Sequence, residues 1–269
     1  MTEGYISLSA WDIVLAAVFL CVNAGLSVML RLRLERQLAI AAARMVVQLL
    51  MIGLVLKTIF ALASPGVTAL AAIAMCLFAA REIRARQARH LTGIWGYGLG
   101  GSAMMLAGSL VTVFGLTAQI QPSPWWTPQI ALPLFGMILG NTMTGVSLGL
   151  DSLHMSAHRE RRAIEAQLLV GRRYLTAMLP VLRQALRSGF TPIINSMAAT
   201  GVVSLPGMMT GQILAGVDPQ EAVKYQIMVL FLIGGSTGLG VLAAVLASAW
   251  RLTDERQRLR LDRLSGPVT

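Results

Sequence analysis

The chain has 269 residues, 55% of them hydrophobic and only 13% charged, with a net charge of +10. That composition excludes an ordinary soluble domain and leaves an integral membrane protein whose length is used almost entirely by crossings and loops. One domain over residues 1–269 is therefore expected, and its cations, which flank apolar segments without interleaved aromatics, point to anionic lipid and not to nucleic acid.

Seven apolar segments follow in order, at about residues 8–30, 38–62, 65–80, 93–117, 129–150, 190–216 and 225–250. Each is near the ~20 residues that cross a ~30 Å hydrocarbon core. Of the 22 Lys and Arg residues, three lie in Arg31 to Gln37, four in Arg81 to His90, seven in Asp151 to Gly189 and five in the tail from Arg251. The other side holds only Lys57, at the outer end of the second span, and Lys224, and Arg44 alone falls deeper inside a span. Lys and Arg are retained on the cytoplasmic side. The expected fold is thus all-α, with about seven transmembrane helices, the N-terminus outside, the C-terminus cytoplasmic, and an inner (plasma) membrane address.

The first segment follows Glu3 and Asp12, not a basic stretch, so it reads as an anchor and not as a cleaved signal. Cys21 and Cys76 both fall in spans and make no structural disulfide. In the second span Arg44 and Gln48 are four apart and share a helix face. Arg44 either snorkels to the cytoplasmic headgroups or faces the bundle interior with Gln48. Glycines recur in span four, in span five (Gly136, Gly140, Gly145, Gly149) and in span seven (Gly234, Gly235, Gly238, Gly240). Such spacing lets helices approach closely in lipid, chiefly as internal packing, with a dimer seam as the functional variant. Trp125 and Trp126 suit an outer interfacial loop.

The segment 151–189 reads as a long cytoplasmic loop of short amphipathic helices, broken near Gly171 and Pro180. His154 and His158 share a face, but no third ligand accompanies them, so they read as interfacial and not as a metal pair. In span six, Ser204-Leu205-Pro206-Gly207-Met208 places a proline and a glycine inside a crossing. The expected break is tolerable only where protein buries it or it lines a polar cavity. Asp218-Pro219-Gln220-Glu221 reads as a helix start with a capping box, opening a helix that ends near Trp250 unless Gly234-Gly235 breaks it.

Glu165-Ala166-Gln167-Leu168-Leu169-Val170-Gly171 resembles the E-A-A-x-x-x-G loop by which ATP-binding-cassette (ABC) permeases dock onto a separate ATPase. The run from Val203 to Gln226, with its Leu-Pro-Gly-Met-Met and Val-Asp-Pro elements, closely resembles the signature of the Fet-type ABC permeases. Those are bacterial metal (iron) exporters related to plant aluminium-tolerance proteins. Arg44, Gln48, Leu49, Gly53, Leu56 and Lys57 match as well, as do Pro133, Gly136, Met137, Ile138, Gly140, Asn141 and Met143. One departure stands out: where family members often have D-S-x-K, this chain has Asn195, Ser196, Met197 and Ala198.

The resemblance implies a permease subunit, working as a homodimer with two separate ABC ATPase subunits that bind the ATP, and no cofactor in this chain. A transport pathway is expected among Arg44, Gln48, Met137, Asn141, Met143, Asn195, Ser204, Pro206, Gly207 and Met208, and the docking-loop resemblance implies ATPase coupling through Glu165, Ala166 and Gly171. The chain cannot power itself by a P-loop: its only lysines, Lys57 and Lys224, follow Leu and Val, so no G-K-[ST] exists. No Asp, Glu or His lies deep in an expected span, so iron comes from the resemblance, and a sugar nucleotide or lipid component stays open as substrate. A seven-helix sensor is the runner-up class, and an intramembrane enzyme lacks a nucleophile–base set.

Overall fold

The structure, a computed structural model, describes residues 9–266; Glu3 and the last three residues lie outside it. The described residues form nine α-helices and no strand. Six helices are long and apolar enough to cross a membrane: 11–29, 35–62, 65–85, 95–120, 128–159 and 219–251. Contacts divide the chain into two compact units, one running to Ala63 and one from Ser64.

The first unit is a helical hairpin, α1 (Ala10–Met29) and α2 (Glu35–Leu62). Its turn is fixed by the buried Ser27, whose hydroxyl donates to Glu35 Oε2 (2.9 Å) and accepts from Leu34 N–H (2.9 Å). Arg31 and Arg33 take left-handed conformations in that turn. The expected basic gap between the first two spans is thus a tight, specific connection.

The second unit is a bundle of α3 (Pro65–Ala85), α4 (Trp95–Phe114), α5 (Pro128–Arg159), α6 (Arg161–Leu169), α7 (Tyr174–Ala199), α8 (Gly207–Leu214) and α9 (Pro219–Arg251). α4 runs on into a π-helical turn, Gly115–Ile120. α5 is central and packs on α3, α4, α7 and α9. Small residues set the spacing, as lipid supplies no hydrophobic drive between helices. A Cβ on Gly145 would lie 2.7 Å from Thr237 Cγ2 and 2.9 Å from the Gly189 carbonyl oxygen. One on Gly189 would meet Val241 Cγ1 at 2.5 Å and the Gly145 oxygen at 2.9 Å. These glycines are consumed by internal packing.

α5 and α9 run parallel and in register. Thr142 meets Ser236 (Oγ1–Oγ 2.8 Å), and twelve residues on, His154 Nε2 meets Ser248 Oγ (2.7 Å). His154 is fully buried, its Nδ1 on the Arg89 carbonyl (3.0 Å), so it is an internal strut and not an interfacial residue. His158 is exposed.

α9 starts as the sequence predicts, with Asp218 accepting from Gln220 N–H (2.9 Å) and Glu221 N–H (3.3 Å). The Glu221 carboxylate goes to Lys224 (2.6 Å) instead of completing a capping box, and the helix runs unbroken through Gly234-Gly235. The largest departure concerns the sixth crossing. α7 is continuous from Tyr174, carrying Pro180 and Pro192 inside it, so the long loop breaks at Gly171 but not at Pro180. Pro180 sits within the first two turns on an exposed face, where a lost backbone bond is tolerated. The chain then leaves the helix at Ala199, and Pro206 precedes the separate α8 instead of kinking a membrane helix.

The basic residues collect at one end of this unit, where α3, α5 and α9 end and α4 and α7 begin. The tail after α9 is folded there. Thr92 N–H donates to the Arg263 carbonyl (2.9 Å), Ser265 N–H to the His90 carbonyl (2.8 Å), and Leu264 is buried opposite Leu91. Gln257 Oε1 accepts from the first N–H of α7, at Tyr174 (3.0 Å).

Candidate functional site

A membrane helix that exposes amides and hydroxyls at mid-depth must face protein or water there, because hydrocarbon offers no partner. α5 and α7 together have such a face. Gly145 lies on Gly189, and Gly149 lies on the Ala185 carbonyl, so the two helices pack antiparallel. Along one rim of that seam Ser188 donates to Ser152 (3.1 Å). Asn141 is eleven residues before Ser152, three turns away on the same face, and Asn195 is seven after Ser188, two turns away on the same face. Both amides are therefore on one rim, at about the same level of the antiparallel pair, and both are exposed.

The rim is polar along its length. Arg187, Thr191 and Asn195 follow one another at four-residue spacing on α7, all exposed, with Gln184 beside them. Asn141 Nδ2 donates to the Met137 carbonyl (2.8 Å), which fixes the amide with its oxygen turned elsewhere. The donors available are amide and hydroxyl oxygens, which suit weak, exchangeable contact with a cation or a polar solute. Among the described residues no three His, Cys, Asp or Glu side chains come together as a metal cage.

The other expected pathway residues are placed differently. Met137 and Met208 border a small core cluster containing Ile138, Ile193 and Val229, just inside the rim. Met143 points the other way, into the main core. Ser204 is exposed in the connection after α7, where its N–H bonds the Ala199 carbonyl (3.2 Å), and Pro206 and Gly207 open α8. That connection lies at the end of the bundle away from the basic cluster. Arg44 and Gln48 belong to the first unit, both exposed and one turn apart on α2. Sequence reading missed the α7 stripe, although Arg187, Thr191 and Asn195 carry a readable i, i+4 spacing.

At the basic end, α6 is a second candidate surface. Ile164 is buried and Leu168 packs against the main core, which pins the helix. Arg161 and Glu165 pair across one turn (2.8 Å), and Ala166 is exposed. Gly171 ends the helix with φ +82°, its N–H on the Leu168 carbonyl (3.0 Å) while Arg172 N–H bonds Gln167 (3.1 Å). This glycine closure turns the chain so that Leu169 and Val170 project, 88% and 76% exposed. Arg162, Arg172 and Arg173 surround them, all exposed.

Residues 10–252 match the model of a family described as "Uncharacterised protein family (UPF0014)". The chain belongs to the UPF0014 family. The match covers all nine helices and stops before the folded tail. UPF0014 relatives include the UPF0014 membrane protein slr1647 of Synechocystis, 37% identical over 82% of this chain and 84% of its own length. The probable iron export permease protein FetB of Escherichia coli is 29% identical over 87% of this chain and 88% of its own. Protein ALUMINUM SENSITIVE 3 of Arabidopsis thaliana is 32% identical over 85% and 80%. No solved structure matches this chain. The family and the six long apolar helices make it a multi-pass membrane protein of the Fet-like group that the Val203–Gln226 run resembles.

Proposed function

We propose that this UPF0014 protein is the permease subunit of an ABC transporter in the inner (plasma) membrane. It moves a metal ion such as iron outwards, as a homodimer driven by a separate ATPase subunit that binds the ATP. The observation that carries this is the exposed rim of Asn141, Thr191 and Asn195 on an otherwise apolar bundle. Two copies meeting at this rim would face their amides and hydroxyls across a shared path and remove them from lipid. The relative named for iron export and the plant relative named for aluminium sensitivity support a metal substrate. A path needs only weak oxygen contacts, since a site that binds tightly does not release. α6 supports the ATPase: a pinned helix with a projecting apolar tip ringed by arginines suits a cleft lined by apolar and acidic groups.

A non-metal polar solute is the second reading, favoured by the carboxylate-free character of the rim, whose one charge is the Arg187 cation. The test is reconstitution of the chain with its ATPase in vesicles, with ATP-driven movement of Fe²⁺ and of a polar metabolite panel measured in parallel. Asn195→Leu with Asn141→Leu should lower Fe²⁺ movement about tenfold or more, the effect of ~1.4 kcal/mol, with ATPase association intact. Unchanged movement removes the rim from the path, and ATP-driven movement of a metabolite alone removes the metal.

A further inference from the structure

The face of the second unit formed by α3, α4 and the start of α5 holds a cavity of about 360 Å³. It plays no part in the rim described above. Its walls are almost wholly apolar: Ala72, Leu116, Ala131, Leu132 and Phe135 line the interior, and Trp125 and Trp126 stand over it from the α4–α5 connection. Ala69, Val113 and Trp125 at its edge are exposed, so it opens on the side of the second unit, among helices long and apolar enough to cross a membrane.

One polar group inside is unsatisfied. Thr112 lines the cavity with its side chain 95% buried (5% exposed), and its Oγ1 has no hydrogen-bond partner. The neighbouring Thr68 hydroxyl, by contrast, donates to the Ser64 carbonyl (3.0 Å). An orphan hydroxyl in an apolar site costs free energy that an occupant with a matching oxygen recovers. Engineered apolar cavities of about 150 Å³ already hold benzene, and this one is more than twice as large. Three aromatic rings on its walls favour a ring-bearing guest by stacked or edge-to-face contact. A plain lipid chain would fill the space but leave Thr112 unpaired.

We infer that this cavity is a binding site for a small phenol-type amphiphile that enters from the bilayer, stacks on the Trp125, Trp126 and Phe135 rings, and exchanges a hydrogen bond with Thr112. The test uses the full chain in phosphatidylcholine nanodiscs, with Trp11, Trp95 and Trp250 replaced by Phe so that Trp125 and Trp126 alone report. Titration with 4-bromophenol should quench their fluorescence saturably. Thr112→Val, which keeps the shape and removes the hydroxyl, should weaken the apparent affinity about fivefold, the worth of one net hydrogen bond. Ala72→Phe, which fills the interior, should abolish saturation, and Ala69→Phe at the exposed edge does the same without touching the core. Linear quenching, which partition into lipid alone would give, overturns the inference. So does saturable quenching that Thr112→Val and Ala69→Phe leave unchanged. Equal quenching by chain-brominated phosphatidylcholine, with no saturable response to the phenol, makes the cavity a lipid-chain slot and overturns it too.

Discussion

At the scale of single residues, glycines that look alike in sequence do different things. Gly145 and Gly140 both belong to the small-residue pattern of α5, yet a Cβ on Gly145 would strike Thr237 and the Gly189 backbone, while one on Gly140 would meet nothing within 4 Å. The same contrast holds between Gly189 and Gly235. Gly189→Ala should therefore lower stability by about 1–3 kcal/mol, because backbone lies on one side and Val241 on the other and neither can yield cheaply. Gly140→Ala and Gly235→Ala should be neutral or raise stability by up to ~1 kcal/mol through helix propensity. Thermal unfolding of the purified variants in one detergent checks both directions. Equal losses at all three positions would mean that Gly140 and Gly235 are also packed against something, as at a seam between two copies.

At the scale of elements, α6 gives a sharp expectation. Its projecting Leu169 and Val170 contribute almost nothing to the core, whereas Ile164 is buried in it. Leu169→Asp or Val170→Asp should abolish co-purification of the ATPase subunit while leaving the melting temperature unchanged. Glu165→Ala should cost little in stability, since its pair with Arg161 is exposed and worth ~0–1 kcal/mol. Retained co-purification in both aspartate variants would remove α6 as the dock. The ending of α6 at Gly171 and the start of α9 at Asp218-Pro219 were both legible, because capping is local chemistry written in adjacent residues. The sixth crossing was not. A run of apolar residues from 190 to 216 reads as one span, but the helix there begins at Tyr174, inside what charge alone marks as loop, and ends at Ala199. Arg183 and Arg187 hide that start, since hydropathy averages around a helix whereas the cations occupy only its exposed side. Pro206 then marks the beginning of α8, not a break within a membrane helix. Of the candidate site, Asn141 stands among the residues that match the family and Asn195 where the chain departs from it, but their shared rim depends on the α5–α7 register, which no single segment encodes.

At the scale of the whole bundle, the tail is the least legible part, because its partners lie far back in the chain. Four cations after α9 suggest a solvated basic end, yet the structure folds the segment around two aspartates against the α3–α4 connection. The hydrogen bond from the Arg258 backbone acts most strongly to hold the Asp254 carboxyl below its usual range; burial opposes it, and the Arg258 side chain and the Arg256 backbone add to the lowering. Asp262 is lowered to about 2, first by its two hydrogen bonds with Arg260. Both folded values lie below the unfolded carboxylate value of ~3.9. The stabilisation is accordingly present above pH ~4 and lost as pH falls from there through the folded values. The clasp should stay closed across neutral and mildly acidic pH and open as pH approaches about 2. Amide exchange at Thr92, Leu264 and Ser265, expressed as protection relative to unfolded-chain rates, measures it directly. Asp254→Ala should loosen the same amides already at pH 7, since Asp254 Oδ1 accepts from the N–H groups of both Arg256 and Arg258 (3.0 and 2.9 Å). Asp262→Asn should do much less, its ion pair with Arg260 being exposed to solvent. Protection that is constant down to pH 2 in the parent chain would show that Leu264 and the backbone bonds hold the clasp without the carboxylates. In that case the tail is an apolar latch, and the acid pairs only decorate it.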